Sequence, residues 1–135
     1  MFLLDTNVVS ELRKLRPHGA VVSWLEGIAD ADLYLSAVTL AEIQAGIELT
    51  REQDPAKAAD LEKWTDQVAI TYNVLPMDTV TFRLWAKLMH RQSDTVYEDA
   101  MIAATARIHG LIVATRDEAD FRQFAVPMLN PFALP

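Results

Sequence analysis

Four short apolar runs that do not alternate with polar residues constrain this chain more than anything else in it. They are Phe2-Leu3-Leu4, Leu33-Tyr34-Leu35, Val74-Leu75-Pro76 and Leu111-Ile112-Val113-Ala114-Thr115. A strand that is apolar on both sides must be covered on both sides, and parallel strands need a connection long enough to hold a helix. Segments of helical periodicity separate all four runs. The pattern predicts a doubly wound, three-layer α/β domain: a four- or five-stranded parallel sheet flanked by helices. The fifth strand would be a weak one near Val126 to Leu129. Pro76 cannot donate to an inner ladder, so the third strand is expected at an edge. With 135 residues, the chain reads as one domain, 1–135.

The helices carry their own punctuation. Asn7 is expected to cap a short helix running to about Lys14, and Pro17 to sit in the first turn of a second one, with Val21, Trp24, Leu25 and Ile28 facing the core. A third helix is predicted from about Thr39 to Thr50, burying Leu40, Ile43 and Ile47. Asp54-Pro55 opens a long fourth helix with the stripe Ala58, Leu61, Thr65, Val68 and Tyr72. Two more are predicted at about Thr79 to Gln92 and at Tyr97 to His109, the latter stopped by Gly110. Thr39-Leu40-Ala41-Glu42 and Thr95-Val96-Tyr97-Glu98 both have the form of a capping box. Trp24, Trp64 and Trp85 fall in amphipathic helices, where core packing is the ordinary role.

Composition excludes several chemistries. There is no cysteine, so neither a disulfide framework nor a thiolate zinc site exists. The opening apolar run lacks a basic flank, and no apolar stretch approaches the ~20 residues of a membrane span, so a soluble cytoplasmic protein is expected. The net charge of −7, from 19 acidic and 12 basic residues, argues against nucleic-acid binding through a broad basic surface. Carboxylates converging on a divalent cation would reverse that charge locally.

Sites in parallel sheets form at the carboxyl ends of the strands, beside the switch in strand order. Asp5 directly follows the first strand and Asp117 follows the fourth. Glu42 lies early in the helix after the second strand, and Asp99 starts the helix that leads into the fourth. Three of these have plain structural explanations: a helix cap for Asp5, a capping-box partner for Glu42, a turn for Asp117. Glu98 is the better cap for its helix, which leaves Asp99 without a structural task. Together they are harder to dismiss, because two unit charges about 4 Å apart interact by about 4 kcal/mol at an effective dielectric of 20. A cation would relieve that repulsion. An oxygen-only donor set, with His18, His90 and His109 scattered, favours Mg²⁺ or Mn²⁺ over zinc. On this reading Asp5, Asp99 and Asp117 hold the ion, and Glu42 completes the shell or orients the attacking water. Arg116, Arg13 and Lys14 are candidate phosphate contacts or else solvated charges.

The motifs also form a recognisable set. Leu3-Leu4-Asp5-Thr6-Asn7 resembles the opening of PIN domains, particularly the VapC and FitB-like toxins. The segment Ser36 to Glu42 resembles their second acidic motif, Glu98 to Ala106 their third, and Thr115-Arg116-Asp117 with Asp120-Phe121 their fourth. Asn130-Pro131-Phe132 resembles FitB-like C-termini. The likeness covers nearly the whole chain in the expected order. It implies metal-dependent cleavage of RNA phosphodiesters, restraint by a cognate VapB-like antitoxin, and homodimers or larger assemblies with that antitoxin. The implied metal residues are Asp5, Glu42, Asp99 and Asp117. Many relatives have Asn where this chain has Asp117, so Asp120 is a candidate to share or replace its role. Thr6, Asn7 and Thr115 are implied as supporting or phosphate contacts. Two other enzymatic or signalling readings fit less well. An aspartyl-phosphate phosphatase would want an acid where Asn7 stands, and a receiver domain would want a lysine after Lys87. A PIN fold that only binds is a third alternative, although its four acidic positions are filled.

Overall fold

The computed structural model describes residues 1–135. In chain order the elements are β1 (Phe2–Leu4), α1 (Thr6–Glu11), α2 (Gly19–Glu26), β2 (Leu33–Ser36), α3 (Ala37–Arg51), α4 (Pro55–Thr71), β3 (Asn73–Leu75), α5 (Thr79–Met89), α6 (Tyr97–His109), β4 (Ile112–Ala114), α7 (Glu118–Arg122) and β5 (Met128–Leu129). The five strands form one sheet in the order β3-β2-β1-β4-β5, and every pairing is parallel. The chain builds outward from β1 through β2 to β3, then crosses back to lay β4 on the other side of β1. The switch in strand order therefore lies between β1 and β4, where Leu3 pairs with Val113 and Leu4 with Ala114.

Successive side chains of a strand point to opposite faces, and the two cores show it. Leu3 and Val113 pack with Ala103, Ala106, Phe121 and Phe124 on one side. Leu4 and Ala114 pack with Val8, Val9, Leu33 and Leu35 on the other. Neither Leu3 nor Leu4 has measurable exposure, and full burial of such a side chain stabilises by about 1.5–3 kcal/mol. This two-sided burial is what the unbroken apolar runs demanded. No helix is long and apolar enough to cross a membrane.

Several local expectations need correction. Asn7 does not cap α1; Asp5 does, accepting the Thr6 N–H at 2.8 Å, and the helix stops at Glu11. Pro17 stays outside α2, which begins at Gly19. Neither capping box forms. Ser36 caps α3 by accepting the Val38 N–H at 3.1 Å, so the helix starts earlier and Thr39 becomes a buried helical residue. Ser93 caps a short 3₁₀ turn ahead of α6, whose own N-cap Val96 offers no side-chain acceptor. Glu42 and Glu98 are thereby released from capping. The end of α6 is as expected, with Gly110 in the left-handed region at φ +65°.

Candidate metal centre

At the carboxyl ends of β1 and β4 the chain builds a network around Asp5, which is 5% exposed. While Oδ1 caps α1, Oδ2 accepts from the Thr115 hydroxyl at 2.8 Å and from the Asn7 amide at 3.1 Å. The same Asn7 amide donates to Asp117 Oδ2 at 3.0 Å, and its carbonyl accepts the Arg116 N–H at 3.3 Å. Thr115 Oγ1 in turn accepts the Asp117 N–H at 2.9 Å. Asn7 and Thr115 thus tether two carboxylates from opposite sides of the switch point. Asp117 occupies the N-cap position of α7 but makes no capping bond; its side chain is turned to Asn7 instead.

Glu42 reaches the network from α3, accepting the Thr6 hydroxyl at 3.0 Å, and Thr39 Oγ1 lies 3.3 Å from that hydroxyl. Partial loss of solvent on its inner side, with the nearby charges of Asp5 and Glu98, raises the carboxyl of the otherwise exposed Glu42 above its ordinary range against the Thr6 bond, which lowers it. Asp5 is raised chiefly by burial, partly offset by Thr115, Thr6 and Asn7. Asp99, in the first turn of α6, has no hydrogen-bond donor to offset anything. Burial comes first, then the charges of Asp5, Asp120, Glu42 and Asp117, and together they push it to about 7. So all four expected acids share one electrostatic neighbourhood, and Asp120 belongs to it too.

The donor set fits a hard divalent cation in chemistry: oxygen only, anionic and mutually repelling, with one carboxylate lacking any partner. No three of these groups already surround a single point at ligating distance, so the side chains are gathered but do not form a ready-made cage. Arg116 is directed elsewhere, its guanidinium 3.8 Å over the Phe132 ring, and Lys14 pairs with Glu11. Sequence reasoning missed Thr39 and Glu98 as neighbours of the site. The i, i+3 spacing of Thr39 and Glu42 on one helical face is the available signal, obscured because the same two residues fit a capping box.

Known proteins resemble this chain along nearly its whole length. The PIN domain family matches residues 2–127. A VapC ribonuclease of Sinorhizobium fredii is 37% identical, the alignment covering 98% of each chain. The toxin FitB of Neisseria gonorrhoeae is 34% identical over 98% of this chain and 99% of its own. Among solved structures, a chain of the Neisseria gonorrhoeae FitAcB crystal structure is 35% identical and superposes with a TM-score of 0.87, covering 99% of this chain and all of that one. A chain of FitAB bound to a DNA fragment is 34% identical with a TM-score of 0.86, covering all of this chain and 98% of that one. With the PIN model matching residues 2–127 and relatives 34–37% identical along nearly the whole chain, the chain belongs to the PIN-domain family.

Proposed function

We propose that this chain is a ribonuclease toxin that hydrolyses RNA phosphodiester bonds at the β1/β4 switch point, using Mg²⁺ or Mn²⁺, and that a VapB-like antitoxin restrains it. The observation that carries the reading is Asp99: a carboxylate with no donor partner, pressed among four other acids. A fold gains nothing from that crowding unless a cation joins it. Asp5, Asp99 and Asp117 would hold the ion, with Glu42 completing the shell or orienting the attacking water. When bound, such an ion would lower the pKa of an attacking water and neutralise charge developing on the phosphate.

The chain's own residues supply the alignment. Thr115 and Asn7 fix Asp5 and hold Asp117 beside it, while Thr6 steadies Glu42 from the opposite helix. Such supporting hydrogen bonds orient ligands and are typically worth about 10–100-fold in affinity or activity. The relatives support the wider role by name, one as a ribonuclease and one as a toxin solved in the FitAB assembly.

The test is direct. Asp5→Asn and Asp99→Asn should each lower metal-dependent RNA cleavage by at least about a hundred-fold while leaving the circular dichroism spectrum unchanged. Folded variants that cleave like wild type, or a wild-type chain that cleaves no RNA in either metal, would overturn the assignment.

A further inference from the structure

A cleft of about 370 Å³ runs from the carboxylate cluster between α1, α3 and α4. Thr6 and Glu42 belong to both the cluster and the cleft, so the two are continuous. Its far end carries Arg13, just past α1, and Lys57 in α4. Neither forms an ion pair, whereas the nearby Lys14 and Arg51 are engaged by Glu11 and by Glu48 with Glu62. On a chain of net charge −7, two free cations facing one cleft, with acids only at its inner end, give that cleft a direction. We propose that it holds the RNA backbone next to the scissile phosphate, with Arg13 and Lys57 contacting the neighbouring phosphate groups. This rests on the nucleolytic reading above.

One glycine bears on the occupant. Gly46 lies in the interior of α3, four residues past Glu42, and lines the cleft. A Cβ added there would meet nothing within 4 Å, so packing within the chain does not require glycine. Only proline is a poorer choice inside a helix. A bare backbone at this point leaves the wall flat where a substrate strand passes out of the carboxylate centre, a recurrent use of glycine.

Steady-state cleavage of a single-stranded RNA of about 12 nucleotides can be compared with cleavage of bis(p-nitrophenyl) phosphate, which has no neighbouring nucleotides. Arg13→Gln and Lys57→Gln should each raise KM for the RNA about three- to ten-fold, leave its kcat within twofold, and leave the aryl ester unaffected. In fluorescence anisotropy with the same RNA, the slope of log K against log salt should fall by about 0.7 for each cation removed. Gly46→Ala should raise Tm by about 3–5 °C while weakening RNA binding, a pairing that a purely structural glycine would not give. Unchanged KM and salt slope in the double variant would overturn the proposal, as would a wild-type chain that binds no RNA. So would loss of antitoxin binding with RNA binding intact, which would make the cleft a protein site. A chain that binds RNA with these dependences but cleaves nothing would retain the cleft and sink the nuclease reading alone.

Discussion

At the scale of single residues, Asp99 is the group whose behaviour most exposes the site's design. Its folded-state value of about 7 stands above the ordinary 3.8. The folded state therefore holds the proton more tightly than the unfolded chain does. The resulting stabilisation is complete below the ordinary carboxylate range and disappears as pH rises towards 7. In EDTA, wild type should lose stability relative to Asp99→Asn between pH 5 and pH 8. Because Asp99 is partly open to solvent, screening reduces the effect to about 1–2 kcal/mol. Thermal melts of both proteins at the two pH values check this; a constant difference in Tm would show that Asp99 is not crowded by its neighbours. Asp5 shows why a residue can satisfy two readings at once. One of its oxygens caps α1 and the other takes the Asn7 and Thr115 bonds, so the structural role and the site role use different lone pairs.

At the scale of elements, what was legible in the sequence depended on whether a signal had one physical meaning. The apolar runs had one: each needs cover on both faces, and all four became strands of a parallel sheet. Gly110 had one as well, since a left-handed residue ends a helix cheaply only as glycine. Gly110→Ala should cost about 1 kcal/mol, read as a lower urea midpoint at unchanged slope; an unchanged midpoint would mean α6 ends without needing that conformation. The capping boxes were ambiguous. Ser36 and Thr39 can both cap a helix, and β2 ends at Ser36, so the chain turns into α3 there and carries Thr39 inward. That three-residue displacement, invisible to local pattern, places the Thr39–Glu42 face against Thr6. The acids were legible as a set because β1, β4 and the starts of α3 and α6 share one end of the sheet. Asn7 as a bridge from Asp5 to Asp117 was not legible, because Asn7 and Asp117 lie 110 residues apart and nothing local marks a long-range hydrogen bond.

At the scale of the whole molecule, a chain of net charge −7 has to bring a polyanion to a cluster of carboxylates, and whatever neutralises that cluster controls the encounter. A divalent ion should raise the Tm of the free chain, because binding to the folded state alone stabilises it. An antitoxin arginine could satisfy the same carboxylates, since guanidinium stays charged and pairs with carboxylates in bidentate fashion. The surface beside the cluster suits such an arm. An apolar groove of about 620 Å³ lies against α3 and the start of α6, lined by Val38, Ala41, Leu49, Tyr97 and Met101, with Glu42 and Glu98 at its polar side. A partner helix seated there by its apolar face would carry a neighbouring arginine to Glu42, and through it to Asp5 and Asp99. Ion and arginine would then compete for one set of charges, and the coupling must be reciprocal. Calorimetric titration of Mn²⁺ into the free chain and into its antitoxin complex should show at least about a ten-fold weaker affinity in the complex, equivalent to about 1.4 kcal/mol of coupling. Excess Mn²⁺ should weaken antitoxin binding by the same factor. Equal affinity in both states would exclude occupation of the carboxylate cluster and leave obstruction of the RNA path as the means of restraint.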